Sequence, residues 1–316
     1  MNDVDVLIPV HGSPIYLAET LKSVVNQKYI NRIYLILDRV EMNIFSKIDI
    51  INKYDNIEIL VSKKPGIVEA LNLGLLNSKA KYIARIDSDD LMTENRIKIQ
   101  RDYMEENRSC ICSGSYLEVF GDNQKKYIKK YPTHFKAIKH RMEYQNSIAH
   151  PSVMYLADKA KHVGGYRNLF EGSEDYDLWF RLSKEGEIRN INLPLTMYRK
   201  SLGQYSMKFS GYRVSLDSLV RIVNLYPESM NLKINYYQDI SSIKLEEIYI
   251  SLLNVIRTKD PRLFKRIKKS EAYSILLVEF STGESFFKLR RLNAVALFVI
   301  RYPFFSWQIL LDRILK

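Results

Sequence analysis

The first ninety residues alternate apolar runs with amphipathic stretches four times over, and that rhythm restricts the chain more than any other feature. Val4 to Val10 is almost wholly apolar after Asp5, as expected of a strand buried on both faces of a parallel sheet. Pro9-Val10-His11-Gly12 ends it. Ser13-Pro14 then reads as a helix start, with Ser at the N-cap, Pro in the first turn and Leu17, Leu21, Val24 and Val25 on one face. Ile33 to Leu37 is a second buried strand, closing on Asp38-Arg39; a helix through Phe45 to Tyr54 leads to a third strand, Ile57 to Val61. Lys63-Lys64-Pro65-Gly66 precedes a helix from Ile67 to Asn77, which packs through Ala70, Leu71, Gly74 and Leu75. Tyr82 to Ile86 is the fourth strand. Four β–α units in this order predict a doubly wound, mostly parallel α/β sheet.

The fourth strand stops in a knot of acid. Asp87, Asp89 and Asp90 have only Ser88 between them. Like charges this close raise one another's energy unless a cation or a set of donors neutralises them. A hard divalent ion, Mg2+ or Mn2+, takes oxygen ligands and can share them with a substrate diphosphate. Ligands of open α/β sheets also sit beyond the carboxyl ends of the strands, where this knot falls. A solvated turn is the other reading, because Asp and Ser suit turns and Thr93 is placed to cap the next helix. The residues by themselves leave both open.

Asn95 to Glu106 reads as a helix, Cys110 to Phe120 as a strand or hairpin, and Lys125 to Lys139 as a charged, aromatic surface segment. His150-Pro151-Ser152 precedes a short apolar run, Val153 to Leu156, and Gly164-Gly165-Tyr166 is a turn. Glu171 to Asp177, E-G-S-E-D-Y-D, is a second acidic knot; it opens a helix with Leu178, Trp179 and Leu182 that ends at Gly186. Leu193 to Arg199 is a short strand, and Lys200 to Ser210 a polar loop. Cys110 and Cys112 are too close along a strand for a comfortable disulfide, and one such pair is too few for a zinc site. Buried thiols in a reducing cytosol fit both facts. No secretory signal opens the chain.

I-P-V-H-G, the aspartate closing the second strand, A-L-N-L-G-L, Y-I-A-R-I-D-S-D-D, H-P-S-V-M-Y and S-E-D-Y-D-L-W-F-R-L stand here in one order. Over about residues 3 to 210 the chain thereby resembles the family 2 glycosyltransferases, inverting enzymes of the GT-A nucleotide-diphosphosugar-binding fold. Within that family it looks most like bacterial enzymes that build O-antigen, capsule or other surface polysaccharide. The resemblance implies that Asp89, with Asp87, holds Mn2+ or Mg2+ on the diphosphate of a UDP-sugar, and that Asp90 supports the cluster. Ser88 belongs to the same loop. Pro9, His11 and Asp38 line the place of the base, with Asp38 accepting from the uracil N–H. Asp175 is the expected catalytic base, with Glu174 positioning it or the acceptor. Asp177 points elsewhere by helix geometry and reads as structural. His150, Trp179 and Arg199 are weaker candidates for the acceptor pocket or a closing loop. This chain departs from the family at Leu37-Asp38-Arg39-Val40, where many members carry Asp-Asp-Gly-Ser, and at Leu71, where an arginine is common. Arg85 is placed to supply the missing positive charge in nucleotide binding; an ion pair that shapes the acidic loop is its alternative role.

The net charge is +12, and from Tyr212 onward 17 Lys and Arg face 10 Asp and Glu. Such a bias suggests an anionic partner. Residues 1–211 read as the catalytic domain and 212–316 as a basic helical region. Between Leu289 and Lys316, arginines and lysines mix with Phe304, Phe305 and Trp307. That pattern suits a helix in the membrane interface, or a subdomain packed on the catalytic domain or on a second copy as a homo-oligomer. Taken together, the expected function is transfer of a hexose or N-acetylhexosamine from a UDP-sugar to a polyprenyl-diphosphate-linked glycan. The expected place is the cytoplasm, peripheral on the inner face of the cytoplasmic membrane. A nucleotidyltransferase shares the sheet and the acidic pair but needs a glycine-rich basic loop after the first strand, which His11-Gly12-Ser13-Pro14 is not. A nucleic-acid-binding protein would account for the charge, yet the acidic knots repel phosphates and no binding motif is present, so no nucleic acid is expected.

Overall fold

The structure, a computed structural model, describes residues 2–121, 125–200 and 213–225. These fall in the first of two compact units, Met1–Tyr249; the second, Ile250–Lys316, lies outside the described residues, and so do the expected membrane-interfacial helix and the loop after Lys200. No helix of the described residues is long and apolar enough to cross a membrane.

A single nine-stranded sheet organises the unit, in the order β3-β2-β1-β4-β8-β6-β9-β5 with β7 on the flank of β6. Its first half is parallel, as expected: β1 (Val4–Gly12) lies between β2 (Ile30–Val40) and β4 (Tyr82–Arg85), and β3 (Ile57–Val61) forms the edge. Val4, Val6, Ile8, Ile33, Leu35 and Ala84 are all fully buried in one core, which is why these strands are apolar runs rather than alternating ones. The helix α3 (Ile67–Asn77) begins and ends where the sequence places it. It can lie close on the sheet because residue 74 is glycine: a Cβ there would stand 2.9 Å from both Ile36 Cδ1 and Leu7 Cδ2.

Beyond β4 the sheet becomes mixed. β8 (Met154–Leu156) runs antiparallel to β4 and to β6 (Cys110–Gly121), while β9 (Glu187–Lys200) runs parallel to β6 and antiparallel to β5 (Leu91–Met92). Strand β9 is twice the length expected, since Glu187 and Arg189 pair with each other on its outer side while Ile188 and Asn190 are buried. Arg96, the first residue of α4 (Arg96–Glu106), is wholly buried and bolts the halves together. It donates to Arg85 O at 2.8 Å, Pro151 O at 2.8 Å and Val153 O at 3.2 Å, and burial depresses its pKa to about 9.

Several local expectations are corrected. The helix α1 (Leu17–Val25) starts three residues past Pro14, because Ser13 and Pro14 close turns onto Ile15 and Leu17 and no side chain caps it. The helix expected over Phe45 to Tyr54 is one turn, α2 (Met42–Phe45), and a separate 3-10 turn, Asp49–Lys53, broken at Ile48 by an extended ψ of 82°. Thr93 caps nothing; its N–H joins β5 to β9 through Leu195 O. Cys110 and Cys112 are free and buried, as expected, and burial pushes the Cys110 thiol up to about 12. The helix α8 (Arg213–Leu225) packs against α7 (Glu174–Leu182) through Asn224–Asp177 and Ser173–Asp217 hydrogen bonds.

Candidate active site

The first acidic knot follows β4, at the carboxyl end of the parallel strands where sheets of this kind bind ligands. One oxygen each from Asp87, Asp89 and Asp90 lies within 4.8 Å of the others. Arg85 is 2% exposed, and both its terminal nitrogens donate to Asp87, Nη1 at 3.0 Å. The loop-shaping ion pair is therefore formed, with the guanidinium buried. Burial works against its charge, but Asp87, Tyr166, Glu174 and Asp90 outweigh that and raise its pKa. Asp90 is fully buried; its Oδ1 accepts the Arg199 N–H at 2.8 Å, while Oδ2 has no hydrogen-bond partner among the described residues. Burial, then Asp87 and Asp89, push its pKa well up. Three hard oxygen donors, one orphaned in the interior, suit a divalent cation.

The second knot lies at the start of α7. Glu174 Oε2 accepts the Gly172 N–H at 2.7 Å, and Asp175 Oδ2 accepts from Asn146 Nδ2 at 2.7 Å. Burial, followed by the charge of Asp175, pushes Glu174 up to about 7. His150 sits behind it: Nδ1 is 3.7 Å from Glu174 Oε1, and Nε2 shares a hydrogen bond of 3.1 Å with the Tyr166 hydroxyl. Burial and the positive Arg85 hold His150 well below its ordinary range, so the ring is neutral. Trp179 is fully buried against His150 and Tyr155 and supports the site from behind. Asp177 is also fully buried and takes hydrogen bonds from Arg167, Arg181 and Asn224, the structural part expected of it.

At the ends of β1 and β2, Asp38 is held on every side. Arg39 donates to both its oxygens, at 2.9 and 3.1 Å, the Gly66 N–H donates to Oδ2 at 3.1 Å, and His11 Nδ1 lies 3.2 Å from Oδ2. Burial alone would raise its pKa, but Arg39, Gly66 and His11 together lower it. Gly66 can make that contact because its φ of +114° suits glycine only. The His11 side chain is half exposed, Pro9 is partly buried, and Ser88 accepts from Thr20 Oγ1 through its carbonyl at 2.9 Å.

Arg199, set down as a residue that closes over the diphosphate, acts here as a strap. Its Nε donates to Asp89 O at 2.8 Å and Nη2 to Glu19 at 2.7 Å, and its guanidinium lies over the rings of Tyr16 and Phe120. Asn146, Tyr166 and Asn72 are the site's unforeseen supports. Asn72, the asparagine of A-L-N-L-G, holds the Tyr166 backbone by its carbonyl at 2.8 Å and its N–H at 2.9 Å. Arg85 connects the two knots: its guanidinium is bonded to Asp87, and its backbone N–H donates at 3.0 Å to Val153 O, three residues from the His150 that stands 3.7 Å from Glu174.

Known proteins agree with this architecture. An uncharacterized glycosyltransferase of Rickettsia felis is 32% identical over 225 residues, 70% of this chain but only 37% of that protein, so the chain spans about a third of that relative's length. The Escherichia coli "O-antigen biosynthesis glycosyltransferase WbnJ" is 30% identical over 190 residues, 58% of this chain and 73% of that one. Among solved structures, S. aureus TarS in complex with UDP-GlcNAc superposes with a TM-score of 0.55 at 14% identity, covering 86% of this chain and 79% of that one, a likeness of fold. The family model described as "Glycosyl transferase family 2" matches residues 5–162, half the chain, and the chain belongs to that family.

Proposed function

We propose that this chain is a metal-dependent, inverting glycosyltransferase that moves a hexose or N-acetylhexosamine from a UDP-sugar to a polyprenyl-diphosphate-linked glycan. The pathway proposed is surface-polysaccharide synthesis. One observation carries the reading: Arg85, bonded to Asp87 at the first knot, is joined by its backbone N–H to Val153 O in the segment whose His150 stands 3.7 Å from Glu174 at the second, so a donor diphosphate at the first would present its sugar to the second. The oxygens of Asp89 and Asp87 are the ligands proposed for Mn2+ or Mg2+, with Asp90 behind them. A divalent ion bound there would neutralise charge on the departing diphosphate. Arg85 keeps Asp87 in place, and the Arg199 strap fixes the carbonyl of Asp89.

Asp175 is the proposed general base. An inverting transfer needs a carboxylate beside the acceptor hydroxyl, on the sugar face opposite the leaving group. Asn146 orients one of its oxygens, and its negative charge also favours an oxocarbenium-like transition state. Glu174 and neutral His150 form the wall behind it. The name of the WbnJ protein supports the polysaccharide, and the UDP-GlcNAc bound in the TarS structure supports the UDP-sugar.

Thermal melting with UDP, Mn2+ and both together tests the donor half. Stabilisation by the pair beyond either alone is expected. Asp89→Ala should abolish that stabilisation and transfer together, whereas Asp175→Asn should keep the first and lose the second. Near-normal turnover by Asp175→Asn would refute the base assignment.

A further inference from the structure

The strongest charge bias in the described unit lies outside the cleft. Residues 125–142 carry six Lys and one Arg with no Asp or Glu. Every residue from Lys125 to Lys130 is exposed, and so are Lys136, Lys139 and His140 on α5 (Phe135–Met142), whose Ile138 and Met142 point inward. Large apolar side chains stand among these lysines. On β7 (Tyr127–Lys129) Tyr127 is 44% and Ile128 42% exposed. On β9, Leu193 is 45% exposed, three residues before Thr196, and Thr196 shares a row of the sheet with Leu117 and Lys129. Lysines on a flanking strand also deter unwanted strand pairing, which accounts for one or two of them. It accounts neither for those on α5 nor for the exposed Tyr, Ile and Leu.

The ribbon is fastened to the side of the site that holds the proposed base. Asn190 donates to Pro132 O at 2.7 Å, and at the end of α5 the Met142 carbonyl accepts from the hydroxyl of Tyr176, the neighbour of Asp175. We propose that this lysine–tyrosine ribbon docks the catalytic unit on the surface of an anionic phospholipid bilayer, so that a lipid-anchored acceptor arrives beside Asp175. Lysines attract the headgroup layer, and the edge strand β7 carries Tyr127 on one face and Ile128 on the other into its apolar boundary. A nucleic acid would satisfy the lysines but leave Ile128 in water. The acceptor clause rests on the proposed function; the docking does not, because vesicle binding is read without donor or acceptor.

The test is co-sedimentation of the full chain with phosphatidylcholine vesicles, with and without phosphatidylglycerol. The chain should partition onto the anionic vesicles only, and raised salt should release it. Replacing Lys125, Lys126, Lys129 and Lys130 by Gln should weaken partitioning about a hundredfold or more, with the melting temperature and UDP binding unchanged. Replacing the same four by Arg should restore it, and Tyr127→Ser with Ile128→Ser should weaken it while leaving every charge in place. The proposal is overturned if the chain ignores anionic vesicles, if the four-Gln chain binds as the parent does, or if the parent binds nucleic acid and not vesicles. Vesicle binding with no transfer to a lipid-linked acceptor would sustain the docking and refute the acceptor.

Discussion

Glu174→Gln probes the electrostatics of the second knot with little change of shape. Glu174 is 5% exposed, and burial followed by the charge of Asp175 raises its carboxyl from an ordinary 4.5 to about 7. With the folded-state pKa above the unfolded one, the folded chain keeps a proton that the unfolded chain releases. The group's contribution to stability is therefore fully present below about pH 4.5 and is lost as pH rises through about 7. A gap of about 2.5 pH units corresponds to about 3 kcal/mol, at about 1.36 kcal/mol per unit. Glutamine keeps an acceptor for the Gly172 N–H and carries no charge at any pH. Its amide can donate to Nδ1 of the neutral His150, now 3.7 Å from the carboxylate. The variant should therefore match the parent near pH 4 and exceed it by up to about 3 kcal/mol at pH 8. In a unit of about 250 residues that is about 6–12 °C in Tm. Parallel melts of the two chains across this range provide the assay. If Glu174→Gln melts at or below the parent at pH 8, burial does not set the titration of this carboxyl and the reasoning fails.

Asp177→Ala should destabilise the unit by about 3–5 kcal/mol, because it leaves Arg167 and Arg181 without their shared buried partner; chemical denaturation would read this. Asn72→Ala removes both hydrogen bonds to the Tyr166 backbone and should cost about 1–3 kcal/mol. Retained stability would show that the loop is held by other contacts. Gly74→Val should cost at least about 1–3 kcal/mol by overpacking against Leu7 and Ile36, measurable as a lower Tm.

Much of the parallel half was legible in the sequence. A strand buried on both faces has to be an unbroken apolar run, and a helix packed on such a sheet needs a small residue where it comes closest. Residues 4–10, 67–77 and 82–86 state those demands locally. The two acid knots were legible for the same reason, since three carboxylates in four residues, or Glu-Asp at a helix start, advertise their electrostatics whatever the fold. Helix starts were read less well. Ser13 and Thr93 have the side chains of caps, but neighbouring turns and the β5–β9 pairing claim their backbone instead.

Only the tertiary structure decided what stands beside what. Nothing near Arg85 in the chain says that its backbone joins Val153, or that Arg199 reaches across to the carbonyl of Asp89 and to Glu19. Nor does anything near Asp175 point to Asn146, or near A-L-N-L-G to the backbone of Tyr166. Periodicity and clustered charge are properties of neighbours along the chain, so a sequence displays them directly. A hydrogen bond between residues 94 or 110 positions apart depends on strand order and register, which come into being when the whole sheet closes.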